Sequence, residues 1–460
     1  MKPTPVIVIF DVGKTNKKLF LFDESYKIVY EKSARFLETV DEDGFPCENQ
    51  ESLRLSIFDS LNEVFKLDQF DIKAVNFSTY GASFVLVDEG GEPLAPLYNY
   101  LKPYPEELNK KFYAAYGDET VFASATASPV LGNLNSGLQL YRIKHQQPDV
   151  FKKLKYALHL PQYLSALITK QYYSDLTSIG CHTALWNFDT NQYHNWVQKE
   201  GIAQKLPPLK PSSQTVSITF QNKQIAVGVG LHDSSAALIP YLVSFTEPFI
   251  LLSTGTWCIS MNPFNHSPLT SAELQNDCLC YLQYQGKPVK ASRLFAGHEH
   301  EQQVKRIAGH FKQDIIKYRT IPFNAAIITQ LKQTNTQPYI ANFLKETPFK
   351  QRDLSTFKND AEAYHQLILD LVYQQVASTQ LVLKGTAVKR IFVDGGFSHN
   401  AVYMNLLAML FPGMEIFAAS MAQATAIGAA LAIHHSWNTK PLPGDIIELK
   451  HYSPTKAILI

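Results

Sequence analysis

VGVGLHDSSAALIP, residues 227–240, is the stretch on which the reading of this 460-residue chain turns. The apolar run from Ile225 to Val229 reads as a buried strand that breaks at Gly230. Asp233 then heads Ser234, Ser235, Ala236, Ala237 and Leu238, which read as a helix. Such a turn puts one carboxylate at a helix N-terminus, beside hydroxyls and backbone N–H groups. A lone Asp in that place is most often an N-cap. Its meaning depends on the rest of the chain.

Toward the N-terminus, Val6 to Phe10 and Leu19 to Phe22 are two buried-strand runs around a polar turn that begins at Asp11 and holds Gly13, Lys14, Thr15, Asn16, Lys17 and Lys18. Glycine lets a backbone approach a ligand closely, and Thr and Lys side chains suit phosphate oxygens. This is no Walker A loop, because its spacing is absent and a strand rather than a helix follows. Ala74 to Phe77 reads as another strand, running into Thr79, Tyr80 and Gly81. A helical pattern spans Ser136 to Tyr156, and a second helix begins at about Leu158.

Toward the C-terminus the theme restarts. Phe249 to Leu252 is a strand, the turn carries Gly255 and Thr256, and an apolar run resumes at Cys258. Ile391 to Val393 ends at Asp394-Gly395-Gly396 and leads to Asn400 and a helix, an arrangement that suits a nucleotide lying against backbone. Residues 423–432 form a small-residue helix fit for close packing. A duplicated α/β domain with a cleft between the halves follows, with domains at 1–245 and 246–460.

Composition narrows the function. Forty-two basic against forty-one acidic side chains leave a net charge of +1, which gives no support to a nucleic-acid or membrane-surface partner. No apolar run reaches the roughly eighteen residues of a membrane span, and MKPTPVIVIFDVGK does not read as a secretion leader. Five Cys without framework spacing suggest reduced thiols and a cytoplasmic setting. His298 and His300 stand two apart, so on a helix they point to different sides and make a poor metal pair. The parts that remain suit phosphoryl transfer: donors around phosphates, a divalent ion, and a base for the attacking hydroxyl.

Taken in order, these segments resemble the FGGY family of carbohydrate kinases over about residues 6 to 432. The family's first phosphate motif, Asp-x-Gly-Thr-Thr-x-x-Arg, is met by Asp11, Gly13, Thr15 and, conservatively, Lys18. Its catalytic segment is met at Gly230 and Asp233, its second phosphate motif at Gly255 and Thr256, and its adenosine motif at Gly395, Gly396 and Asn400. The stretch from Leu160 to Trp196 resembles the family's P-x-x-Y-L…W segment. The resemblance implies two actin-like (ribonuclease H-like) ATPase domains flanking a cleft, with ATP and Mg²⁺ as cofactors and a small sugar as substrate. It implies Asp233 as base, Asp11 and Asp233 toward the metal, and Gly13, Lys14, Thr15, Lys18, Gly255 and Thr256 around the phosphates. Gly395, Gly396 and Asn400 fall to the adenosine, and Thr79, Tyr80 and Gly81, with Asp233, to the sugar.

His232-Asp233-Ser234, Ser253 to Trp257 and Thr79-Tyr80-Gly81 are most similar to the rhamnulokinase branch, which implies a ketose or deoxy-ketose such as L-rhamnulose or L-fuculose. A homodimer is compatible with this reading. Several positions depart from the branch: Lys14 replaces a small Thr, Ser78 and Ser83 stand for Asp, and Leu101-Lys102 stand for Arg-Asp. Those departures keep a second reading open, an actin-like nucleotide-binding protein that has lost transfer and senses sugar.

Overall fold

The computed structural model describes residues 2–14, 17–34, 38–334, 344–421 and 423–453. Its core is two seven-stranded mixed sheets built on one plan. In the first, Thr4–Val12 pairs antiparallel with Lys17–Asp23, which pairs antiparallel with Ile28–Ala34. On its other side Thr4–Val12 runs parallel to Phe70–Thr79, and that strand runs parallel to Lys223–Gly228. In the second, Phe249–Thr254, Cys258–Asn262 and Pro288–Leu294 form the antiparallel meander. Arg390–Gly395 and then Glu415–Ser420 add in parallel on the far side of Phe249–Thr254. Both expected strand–turn–strand units are therefore the start of a sheet.

Alternation explains why the first strand is apolar throughout. Val6, Val8, Phe10 and Val12 face a layer made by the helices Gln50–Val64 and Leu160–Thr169. Ile7 and Ile9 face the opposite way, toward Ala236 and Ile239. A strand covered on both faces needs apolar side chains at every step. The helix that begins at Asp233 runs to Ser244 and lies between the two sheets. Ala236 and Ile239 pack on the first sheet, while Leu238 and Tyr241 pack on Phe249, Leu251 and Phe392 of the second. Against it lies the small-residue helix Ala424–Ala432, where Gly428 faces the Ala236 backbone.

Sequence periodicity placed one boundary wrongly. The pattern from Ser136 to Tyr156 divides into helices Ser136–Gln146 and Pro148–Lys153, and Tyr156–His159 is a strand. It pairs antiparallel with Phe84–Val87, so a tertiary partner overrides the local helical signal. This pair opens an aromatic-rich insertion in the first half, centred on Phe112, Tyr141 and Trp196. Among the described residues, no helix is long and apolar enough to cross a membrane.

Candidate active site

Three separate segments hold the turn before Asp233. Gln162 Nε2 donates to the Gly230 carbonyl (2.8 Å), and the Gly230 N–H donates to Asn76 Oδ1 (3.2 Å). The His232 N–H donates to Thr177 Oγ1 (2.9 Å), a hydroxyl that in turn donates to Asp175. Leu231–His232 adds parallel to Ser78–Thr79 at the end of the first sheet. Gln162, Asp175 and Thr177 come from the long family-like segment, so that segment, together with Asn76, positions Asp233.

Asp233 is the first residue of its helix, and the cap position is His232, whose side chain makes no capping bond. The N-cap explanation therefore fails. Asp233 Oδ1 accepts from the Ser234 N–H (2.6 Å) and Oγ (3.3 Å), and lies 3.3 Å from His232 Nε2. Burial pushes the His232 imidazole down to about 4, so this neighbour is neutral at pH 7 and brings no compensating charge. The Asp233 carboxylate is half-buried, and burial pushes its pKa up to about 6. Gly81 is needed here, because a Cβ would stand 2.7–2.8 Å from the His232 ring.

Asp11 is next to last in the first strand, opposite Lys18, and its Oδ2 accepts from Thr425 Oγ1 (2.8 Å). Burial raises its pKa to about 6 against the Thr425 hydrogen bond, and the Asp233 charge pushes it further up. The two carboxylates thus sense one another although they come from different elements. Among the described residues there is no group of three or more His, Cys, Asp or Glu side chains that could hold a metal alone. Two under-neutralised carboxylates still fit a divalent ion whose other ligands are water and phosphate.

Of the remaining phosphate-turn residues, Thr15 lies outside the described residues. Lys18 turns to Glu31, its Nζ 2.6 Å from that carboxylate, while its charge still draws the Asp11 pKa down. Lys14 turns away, 3.4 Å from Glu48 Oε1. In the predicted sugar triplet the Thr79 hydroxyl is buried and donates to the Tyr80 carbonyl (2.8 Å), so it faces the interior. Thr256 receives the His298 N–H on its carbonyl (3.1 Å).

Of the three residues expected at the adenosine, Gly396 and Asn400 line one cavity of about 600 Å³. Gly255, expected at the phosphates, lines it too, with Thr254, His300, Tyr318 and Tyr364 in its wall. Gly395 has φ +84°, and a Cβ there would collide with the Thr254 carbonyl. Asn400 caps the helix Ala401–Leu410 through Oδ1 (3.0 Å to the Tyr403 N–H) and donates from Nδ2 to the Tyr364 hydroxyl (2.7 Å). His300 Nε2 lies 3.2 Å from the same hydroxyl, so this histidine belongs to the pocket wall. Sequence reading missed Tyr364 and Tyr318. Their signal is weak, since they sit among ordinary helix and turn residues and reach the pocket only through packing.

Comparison with known proteins agrees with this geometry. Residues 6–239 match the N-terminal domain of the FGGY family of carbohydrate kinases, and residues 246–441 match the carbohydrate kinase FGGY C-terminal domain. The chain belongs to the FGGY family. It is a carbohydrate kinase, with ATP as the phosphoryl donor that membership implies. Among curated relatives, a rhamnulokinase from Mannheimia succiniciproducens is 22% identical over 434 residues, covering 90% of this chain and 86% of the relative. Another from Halalkalibacterium halodurans is 24% identical over 261 residues, 54% of each protein. A carbohydrate kinase from Novosphingobium aromaticivorans superposes with a TM-score of 0.81 at 22% identity, covering 98% of this FGGY chain and 95% of the other. A xylulose kinase from Lactobacillus acidophilus gives 0.74 at 15%, covering 98% and 94%. These likenesses show the two-domain actin-like fold in this FGGY kinase.

Proposed function

We propose that this kinase phosphorylates a hydroxyl of a ketose or deoxy-ketose, with L-rhamnulose and L-fuculose as first candidates, and that Asp233 is the general base. The observation that carries the mechanism is a half-buried Asp233 carboxylate between the two sheets, poised at about 6 with no cation against it. A base is most useful when its pKa lies near the working pH. The curated rhamnulokinases support the sugar class. Five free, buried cysteines support a cytoplasmic setting.

In this mechanism the sugar sits between the domains, and their closure excludes water. Asp233 takes the proton of the attacking hydroxyl, and the oxygen displaces ADP from the γ-phosphorus in line. Gly255 and the Gly395–Gly396 turn let backbone approach the nucleotide, and Asn400 and Tyr364 bound its adenosine end. Mg²⁺ would neutralise phosphate charge, and Asp11 and Asp233 are the side chains to hold it. Gly13 falls to the phosphate side, and the motif alone assigns Thr15 there. We divide the chain at 245/246, with the sugar mainly on the first domain and the nucleotide mainly on the second.

The test is coupled ADP release with ATP, Mg²⁺ and a panel of ketoses, polyols and deoxy analogues. One sugar should raise ADP release well above background. A flat panel together with ATP binding by calorimetry would replace the kinase reading with a sugar sensor.

The pH profile supplies a second check. A base must be ionised, so kcat/KM is expected to hold at pH 7–8 and to fall as pH drops through about 6. Asp11 is pushed into the same range and feels the Asp233 charge, so the pair should take up protons in two separate steps and the acid limb should be broad. A rate flat down to about pH 4.5 would remove Asp233 from the base role.

A further inference from the structure

We propose that Lys14 is a specificity-determining donor to the sugar, although its place in the sequence is the phosphate turn. Its side chain leaves the turn toward the acceptor side of the cleft. Nζ lies 3.4 Å from Glu48 Oε1, 5.5 Å from the centroid of the Tyr80 ring and 6.0 Å from that of Tyr100. Tyr80 precedes Gly81, which backs the His232 ring, and that ring is 3.3 Å from Asp233. Tyr100 joins the same surroundings: its phenol is pushed up by burial and then by the Asp233 and Glu48 charges. Lys14, Tyr80 and Tyr100 therefore stand around the place where the reacting hydroxyl must lie.

Glu48 explains why the ammonium is available. It sits on the short strand Pro46–Glu48, is only 4% exposed, and bridges its backbone to Leu97, which brings residues 97–100 alongside. Its other oxygen lies 3.3 Å from Lys17 Nζ, itself buried. Lys17 compensates the buried carboxylate whichever way Lys14 turns. Lys14 has three donor protons, one long contact to a carboxylate, and a side chain 27% exposed. It holds donors in reserve for a hydroxyl or carbonyl oxygen of a neutral polyhydroxylated acceptor, with the tyrosine rings beside it for the sugar's C–H face. Ser83, by contrast, uses its hydroxyl internally on the Tyr98 carbonyl (3.2 Å).

The assignment rests on the sugar-kinase reading, and the experiment separates the two. Lys14→Met keeps the stem over the rings and removes the donors. With the sugar that wild type turns over best, its KM for sugar is expected to rise about 10- to 100-fold, the worth of a charged hydrogen bond. Its KM for ATP should stay within about two-fold. Lys14→Arg should recover part of the loss, and Glu48→Gln should raise sugar KM by a smaller factor. A melting curve of each variant guards against misfolding, with Lys14→Leu, which also lacks donors, replacing the Met variant if that one is unfolded. A rise in KM for ATP with sugar KM unchanged would return Lys14 to the phosphates and overturn the proposal. So would no change in either constant. If wild type turns over no acceptor, the kinase reading itself fails and takes this assignment with it.

Discussion

Asp233→Asn is expected to lower sugar-dependent kcat by about 10²- to 10⁴-fold, the usual worth of a general base, while Kd for ATP and for sugar moves only a few-fold. The same substitution should make the unliganded protein slightly more stable at pH 8. Burial raises the folded-state pKa of Asp233 from 3.8 to about 6. Its contribution to stability is therefore complete below about pH 4 and is lost as pH rises through 6, where the folded chain must carry an under-compensated charge. Asn cannot ionise, so at pH 8 the melting temperature should rise by about 1–2 °C. At pH 4 that gain should vanish. A variant that keeps more than about a hundredth of wild-type turnover would show that another group takes the proton.

Gly428→Ala should be among the most damaging single methyls at the described residues. A Cβ at Gly428 would fall inside the Ala236 carbonyl oxygen, 2.6 Å from its carbon and 3.2 Å from its Cα. These are backbone atoms of the helix that carries Asp233, so neither side can yield by rotating a side chain. Alanine ordinarily favours a helix over glycine by about 1 kcal/mol. Here overpacking outweighs it, with an expected loss of about 3 kcal/mol or more. Gly309→Ala is the control: it also sits inside a helix, but a Cβ there meets nothing within 4 Å. It should leave stability unchanged or raise it by up to about 1 kcal/mol. Thermal melts and urea titrations of the two variants compare the effects. Similar behaviour of the pair would mean that the helices at 233–244 and 424–432 are not in close contact.

Much of the fold was legible because it rests on alternation. Val6 to Val12, buried on both faces, and the repeated strand–turn–strand units are statements about period, and period survives tertiary context. Gly255 and Gly396 stand out for a related reason, since close backbone approach restricts residue type locally, and they meet Asn400 at one cavity. The acceptor side was not legible. Glu48 reaches Lys14 from a three-residue strand, and Tyr100 reaches both through the Glu48–Leu97 bridge. No spacing encodes such a meeting. Lys14 shows the limit most clearly: its position implies phosphate and its side chain runs the other way. The strand Tyr156–His159 was misread as helical because its reason for being extended is Phe84–Val87, some seventy residues away.

The packing of residues 424–437 bears on how the protein is made. Ile7, Ile9, Phe20 and Phe22 leave the ribosome some four hundred residues before Ala426, Ile427, Ala430 and Trp437, which help to cover the face they form. Tyr26 closes on His434 (2.6 Å), and Asn76 donates to the Ala429 carbonyl (2.8 Å). Those strands thus wait for a helix that is made much later. Until residues 424–437 are made, those strands carry an open apolar face, which makes them a natural client for chaperones and a site of aggregation in chains cut short of that helix.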